Sequence, residues 1–201
     1  MSSNESETRK KILAATWQLM EAGRGHEVRM SDIAEAVGIS RQAVYLHFSN
    51  RTELMVATTH YVDEVCGLDK RLLEYRSATS GVEILEAFVE FWGNYIPEIY
   101  GLAKALLAVY ETDEAAATAW NDRMAAVRSG CRNTIDALVR DEKLAPEWSR
   151  DEAIDFFWTM LSVQNWELLT KVCGWSGNQY IERMQSLLKS SFVKGFQKKD
   201  G

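Results

Sequence analysis

The stretch ISRQAVYLHFSNRTEL, residues 39–54, decides how the chain is read. Ser40 is a good helix N-cap, and RQAVYLHF follows it as a short helix. At about 100° per residue, Val44 and Phe48 share one face. Gln42, Ala43, Leu46 and His47 sweep the other side, with Tyr45 and Arg41 on a flank. Val44 and Phe48 have a core to join; the rest have no partner inside a small helical domain. Their chemistry matches a DNA major groove. Arg bonds guanine O6 and N7 in a bidentate fork, Gln does the same to adenine, and small or apolar groups meet a thymine methyl. Residues near the N-terminus of a recognition helix reach base edges, so Arg41, Gln42 and Ala43 are the base-reading candidates. Tyr45, His47 and Arg51 suit phosphate oxygens, as do the free N–H groups at the starts of the first and fourth helices. Leu46 either touches a thymine methyl or packs on a neighbouring loop.

Upstream, MSDIAEAV places Met30, Ile33, Ala34 and Val37 on one face, and Gly38 stops that helix as a C′ glycine would. Two short helices joined by a tight Gly-containing turn have the spacing of a helix-turn-helix. Before them, residues 9–22 form a first helix that Thr8 caps, followed by the turn GRGHEV. Downstream, Asn50 with Glu53 three residues later resembles a capping box. It opens a fourth helix whose stripe of Leu54, Thr58, Tyr61, Val65, Leu68 and Leu72 leads out of the small domain.

From residue 78 onward one amphipathic helix follows another. The first, through Trp92 and Ile96, is expected to end before Pro97, and the next runs from Ile99 to Tyr110. A third runs from Trp120 to Leu138. A fourth runs from Ile154 to Leu169 and stops around GWSGN, and the last carries Ile181, Met184, Leu188, Phe192 and Phe196. The fold class is therefore all-α, divided into residues 1–52 and 53–201.

Composition agrees. The chain has 201 residues, 46% of them hydrophobic, with only two prolines. That is enough apolar surface for a well-buried core. No run of about 18 apolar residues occurs, so no membrane span is expected. The polar start MSSNESETRKK is no secretory signal. Three widely spaced cysteines read as thiols in a reducing cytoplasm. The net charge of −6 argues against a nucleic-acid partner only until its placement is seen. Residues 1–60 carry seven Lys+Arg against seven Asp+Glu, and the whole deficit falls beyond them.

The run DIAEAVGISRQAVYLHFSNRTEL, residues 32–54, resembles the DNA-binding signature of the tetracycline-repressor-like (TetR) family of bacterial regulators. The shared order is Ile-Ala, Ala-Val-Gly, Ile-Ser, Val-Tyr and His-Phe, then a basic residue. The resemblance covers residues 8–60. It implies a three-helix DNA-binding domain with a linking fourth helix, then a divergent effector-binding domain. It also implies a homodimer made by the last two long helices. By the same resemblance Tyr45 and His47 fall on phosphate-contacting positions, Arg51 on a basic one, and Ser40, Arg41, Gln42 and Ala43 on the base- and backbone-reading turn. Arg29 stands where the family has a capping Thr. The cap must then come from elsewhere, with Ser31 a candidate, and Arg29 is a candidate DNA contact.

Six of the seven tryptophans lie beyond residue 90. As a set they favour an aromatic-lined pocket for a small apolar or aromatic effector, or for a lipophilic cation neutralised by Glu90, Glu111 or Glu167. Trp92, Tyr95, Trp120, Phe157 and Trp158 are the ligand-binding candidates. Phe156, Met160 and Val163 add apolar area on a second face, which a two-subunit bundle would cover.

The expected partners are an operator in double-stranded DNA, a second copy of the chain and a small effector that releases a repressor. A regulator answering to a protein partner, or to nothing, would look much the same. An enzyme is the remaining alternative, with little support. GWSGN has Asn178 where a nucleophile elbow needs Gly. The three His residues show no metal spacing, and no Gly-rich phosphate loop occurs. No catalytic residue, cofactor or metal is expected.

Overall fold

The computed structural model describes residues 3–23 and 28–196, with side chains from residue 6 onward. Residues 24–27, which hold most of the GRGHEV turn, lie outside the described residues. Among the described residues the chain is helical, with a single isolated antiparallel bridge between Leu144 and Val193 and no strand. It divides into two compact units. Unit 1 is Met1–Leu68 with Ile99–Met124, and unit 2 is Asp69–Glu98 with Ala125–Gly201.

Unit 1 begins with α1 (Ser3–Gly23), α2 (Met30–Val37), α3 (Arg41–His47) and α4 (Arg51–Val65). α1 packs on α2 and α4, and α2 packs on α3. Ile12, Ile33, Val44, Phe48 and Leu54 supply a fully buried centre. Thr16 and Thr58 are buried among them, and each hydroxyl donates to the carbonyl four residues back, Ile12 O and Leu54 O, both at 2.8 Å. That bond removes the cost of burying an unpaired hydroxyl. α1 starts five residues before Thr8, so Thr8 lies inside the helix and is not its cap. α4 is shorter than its apolar stripe implied. It ends at Val65, and Gly67 at φ +68° turns the chain into α5 (Leu68–Arg71) and α6 (Leu73–Ser77). The continuation of the stripe is not buried, so it offered little to hold the helix together.

A single helix, α7 (Gly81–Ala108), replaces the pair expected on either side of Pro97. A helix-interior proline costs about 3 kcal/mol through its missing N–H and its clash with the carbonyl four residues earlier. The buried residues Trp92, Tyr95 and Ile96 before Pro97, and Leu102, Ala103 and Leu106 after it, keep helical spacing straight through. Each large apolar side chain contributes about 1.5–3 kcal/mol on burial, so the stripe outweighs the local defect.

α8 (Glu114–Arg140) follows, then α9 (Arg150–Met160), α10 (Val163–Glu167), a π-helical turn (Leu168–Val172) and α11 (Gly177–Phe192). One helix was expected from Ile154 to Leu169. It breaks because Ser162 caps a new start, its Oγ accepting from Asn165 N–H at 3.3 Å. Phe196 lies beyond the end of α11. Unit 2 is knit by aromatic side chains, with Phe157 set edge-on against Phe88 (5.9 Å) and against Phe192 (5.9 Å). Gly93 and Gly130 permit this packing. A Cβ on Gly93 would stand 2.5 Å from Ile181 Cγ1, and one on Gly130 would stand 2.4 Å from the Phe88 ring. Val163, expected on an outward apolar face, is fully buried, and Phe156 is half-buried against Trp148 and Phe192. The exposed apolar residues of this region are Leu168, Val172 and Leu187.

Candidate nucleic-acid interface

α2 and α3 are positioned by local chemistry. Gly38 takes the left-handed conformation at φ +74°, and Ile39 N–H returns to Ala34 O at 3.0 Å. Ser40 Oγ accepts from Ala43 N–H at 3.1 Å, capping α3 and leaving its own hydroxyl hydrogen available to donate. α2 is capped neither by Arg29 nor by Ser31. The Asp32 carboxylate reaches back to Arg29 N–H at 3.0 Å, while the Ser31 hydroxyl donates to Asp32. A carboxylate at that end also opposes the positive pole of the helix dipole. The Arg29 side chain is left exposed.

Val44 and Phe48 anchor α3 in the unit 1 core, and Arg41, Gln42, Tyr45 and Leu46 are exposed. Ala43 and His47 are half-buried. Arg41 and Tyr45, one turn apart, form a pair, with Nη2 donating to the phenolic oxygen at 3.3 Å and the guanidinium 5.6 Å from the ring centre. A base-reading candidate and a phosphate candidate are thus held side by side.

Arg9 was missed. Its guanidinium lies 4.1 Å from the centre of the Phe48 ring and donates from Nη1 to His47 O at 3.2 Å. It therefore satisfies a carbonyl at the end of α3 and fastens that end to α1. A contact across 38 residues leaves no local signal in the sequence.

Arg51 is placed differently from a free phosphate contact. Nε donates to Val28 O at 2.8 Å, and Nη1 and Nη2 donate to the two Asp113 oxygens at 2.6 Å each. Three of its five N–H donors are thus used inside unit 1, where its side chain is 19% exposed and that of Asp113 is 6% exposed. Asp113 in turn caps α8, accepting from Ala115 and Ala116 N–H at 3.1 and 3.2 Å. Burial by itself would raise the Asp113 pKa. The Arg51 hydrogen bonds and charge, with the two backbone donors, outweigh that and hold it below the usual carboxylate range. Further along α4, Asp63 pairs with Arg123 of α8, which also holds Asp122 at 2.7 Å. His60 Nε2 lies 3.1 Å from Asp122. Both ends of α4 are therefore tied to the segment around Asp113 and Arg123.

The ligand candidates separate. Trp92, Tyr95 and Phe157 are buried in one network of rings in unit 2, with Tyr95 stacked on Phe91 at 5.5 Å and Phe91 leading through Phe88 to Phe157. The Trp92 indole N–H is occupied, donating to Leu161 O at 2.6 Å. Trp158 is half-buried beneath Arg128, and Trp120 belongs to unit 1. Glu90 and Glu111 are exposed. The group that sequence reading overlooked is Tyr180 of α11, whose hydroxyl is fully buried without a hydrogen-bond partner among the described residues. Burial alone raises its pKa strongly. Among the described residues no cluster of His, Cys, Asp and Glu could hold a metal ion, and no helix is long and apolar enough to cross a membrane.

A sequence profile for bacterial regulatory proteins of the tetR family matches residues 12–58, the span from α1 into α4. The match is to the N-terminal helices alone, and there the chain is similar to the DNA-binding domain of that family. The nucleoid occlusion factor SlmA of Marinomonas sp. (strain MWYL1) is 28% identical over 115 residues, 56% of this chain. The chain spans only 58% of that relative's length. Among solved structures, a protein of Saccharomonospora viridis in complex with choline is 18% identical, with a TM-score of 0.72 over 94% of this chain and 99% of that one. NalD, the secondary repressor of the MexAB-OprM multidrug efflux pump in Pseudomonas aeruginosa, is 17% identical. Its TM-score is 0.70 over 97% of this chain and 100% of its own. At such identities the likeness is one of fold alone, and it extends across nearly the whole chain.

Proposed function

We propose that this protein is a ligand-responsive repressor of the tetR family that binds a palindromic operator as a homodimer and leaves it when a small apolar or aromatic effector binds. The observation that carries the DNA-binding half is α3 itself. It is capped at one end by Ser40, clamped at the other by Arg9, and presents Arg41, Gln42 and Tyr45 to solvent. Arg41, Gln42 and Ala43 read base edges in this proposal. Thr8, Arg29, Ser40, Tyr45 and His47 grip phosphates, and the inward pairing of Arg51 reassigns it to support.

The exposed apolar side chains of Leu168, Val172 and Leu187 are the surface that a second copy covers. A two-fold dimer places its recognition helices about 34–36 Å apart, one turn of DNA. For the effector, the ring network around Trp92, Tyr95 and Phe157 supplies apolar surface, and Tyr180 supplies one polar contact. A relative of this fold that holds choline supports a small-molecule effector. The ligand acts by preferring an arrangement in which the recognition helices no longer match that spacing.

Selection of bound fragments from random-sequence DNA tests the proposal directly. Enrichment of an inverted repeat with half-sites one turn apart is the expected result. Enrichment of no sequence would overturn it. A thermal-shift screen with aromatic and cationic compounds then separates a small-molecule effector, which raises Tm, from control by a protein partner, which leaves the screen silent.

A further inference from the structure

We infer that Leu46 reads the C5-methyl group of one thymine in each operator half-site, a specificity contact that rests on the operator-binding function proposed above. Leu46 is 85% exposed, more than any other large apolar side chain among the described residues. That exposure removes the alternative in which it packs on a neighbouring loop.

Its position on α3 fixes where it goes. Leu46 stands four residues after Gln42 and three after Ala43, so the three side chains form one ridge along the helix. The opposite ridge is Val44 and Phe48, both buried in the core. The helix cannot roll, because the Ser40 cap holds its first turn and Arg9 holds both its last carbonyl and the Phe48 ring. When Arg41 and Gln42 reach base edges, Leu46 therefore enters the same groove one helical turn further along. One turn is a rise of about 5.4 Å, between one and two base steps of about 3.4 Å each.

A branched aliphatic side chain brings neither donor nor acceptor. The thymine methyl is the largest apolar group on the major-groove floor, larger than the C5–H that cytosine offers in its place, so it is the best complement to that side chain. The neighbouring exposed ring, Tyr45, is turned to Arg41 and does not compete for that spot.

The test uses the full-length protein and the operator fragment enriched from random DNA. Each thymine is replaced in turn by deoxyuridine, which keeps every hydrogen-bonding group and deletes only the methyl. Affinities of the wild type and of Leu46→Ala are then measured by fluorescence anisotropy at fixed salt. One thymine per half-site is expected at which deoxyuridine weakens the wild type about fourfold, the ratio that burying one methyl-sized group gives. Leu46→Ala binds the thymine and deoxyuridine forms equally at that position. The exposed substitution leaves Tm unchanged, so folding is not in play. A wild type indifferent to every methyl, or a Leu46→Ala variant that keeps full methyl sensitivity, overturns the inference. Failure of the underlying operator reading looks different, since the selection would then enrich no sequence at all.

Discussion

Arg51 and Asp113, 62 residues apart, meet fork to fork, with Nη1 on one carboxylate oxygen and Nη2 on the other, both at 2.6 Å. Arg51 is the first residue of α4, four residues past the end of α3, and Asp113 is the cap of α8. The pair therefore joins the start of α4 to the start of α8 through a geometry that only a guanidinium satisfies. Breaking a buried ion pair from one side costs about 3–5 kcal/mol, because it leaves the other charge buried and alone. Asp113→Ala is expected to lose stability on that scale, Arg51→Ala somewhat less, and the double variant little more than Asp113→Ala. Urea denaturation of the four proteins measures the coupling. Additive single effects would show that the two side chains act independently.

The same carboxylate sets a dependence on pH. The Asp113 pKa in the folded chain is lowered, the contacts with Arg51 and the α8 N–H groups outweighing burial. A folded pKa below the unfolded value of about 3.9 means that the stabilisation is complete above that value and disappears as pH falls through the folded one. Between pH 5 and pH 3 the wild type should lose more stability than Asp113→Asn, which has no proton to take up there. Equal acid slopes for the two proteins would place the acid sensitivity elsewhere.

Arg9 makes a prediction of a different kind, because it touches α3 only through a carbonyl and a ring face. Arg9→Ala is expected to cost about 1–2 kcal/mol, less than the roughly 2–4 kcal/mol that a charge-assisted hydrogen bond and a cation–π contact would sum to, because Arg9 is only half-buried. It should also weaken operator binding, since the end of α3 loses its clamp. Arg9→Lys keeps the charge but not the planar fork, so it should restore less than half of the lost affinity. Full rescue by Lys would mean that Arg9 acts through charge alone.

What could be read from the residues, and what could not, divides by distance along the chain. α2 runs over the MSDIAEAV segment, and the roles of Gly38, Ser40 and Asn50 follow from neighbours within a few residues. Caps and turns are local chemistry, so their signals sit next to one another in the sequence. The inward turn of Arg51 depends on a carboxylate 62 residues away and the clamp of Arg9 on a carbonyl 38 residues away, and neither is marked locally. Pro97 misled for the converse reason. Its local rule is sound, and tertiary burial on both sides of it overrides that rule. Among the aromatic residues, helical spacing identifies those that are buried but cannot separate a packed ring such as Phe157 from one that would meet a ligand.

Pro97 is exposed on α7 and carries the cost of a missing helix bond. Pro97→Ala restores a donor for the carbonyl of Gly93, so the variant should be more stable by about 1 kcal/mol, less than the full proline penalty because neighbouring packing already holds the helix. Calorimetry would show this as a Tm rise of about 2–4 °C for a chain of this size. A fall in Tm would mean that the proline ring is itself required by the packing of α7.

Tyr180 offers a test in which stability and ligand response move in opposite directions. Its buried hydroxyl has no partner among the described residues, and burying such a group unpaired costs about 1–3 kcal/mol. Tyr180→Phe removes the hydroxyl and keeps the ring that packs beside Gly93, so the ligand-free protein should melt at least about 2 °C higher. If that hydroxyl is the polar contact of the effector site, compounds that raise the wild-type Tm in the screen should raise the Tyr180→Phe Tm by less. The loss should correspond to about tenfold in affinity for one hydrogen bond. A Tyr180→Phe protein that melts lower than wild type would show that the hydroxyl is bonded in the free state. One that melts higher but responds to every compound as the wild type does would remove Tyr180 from the effector site.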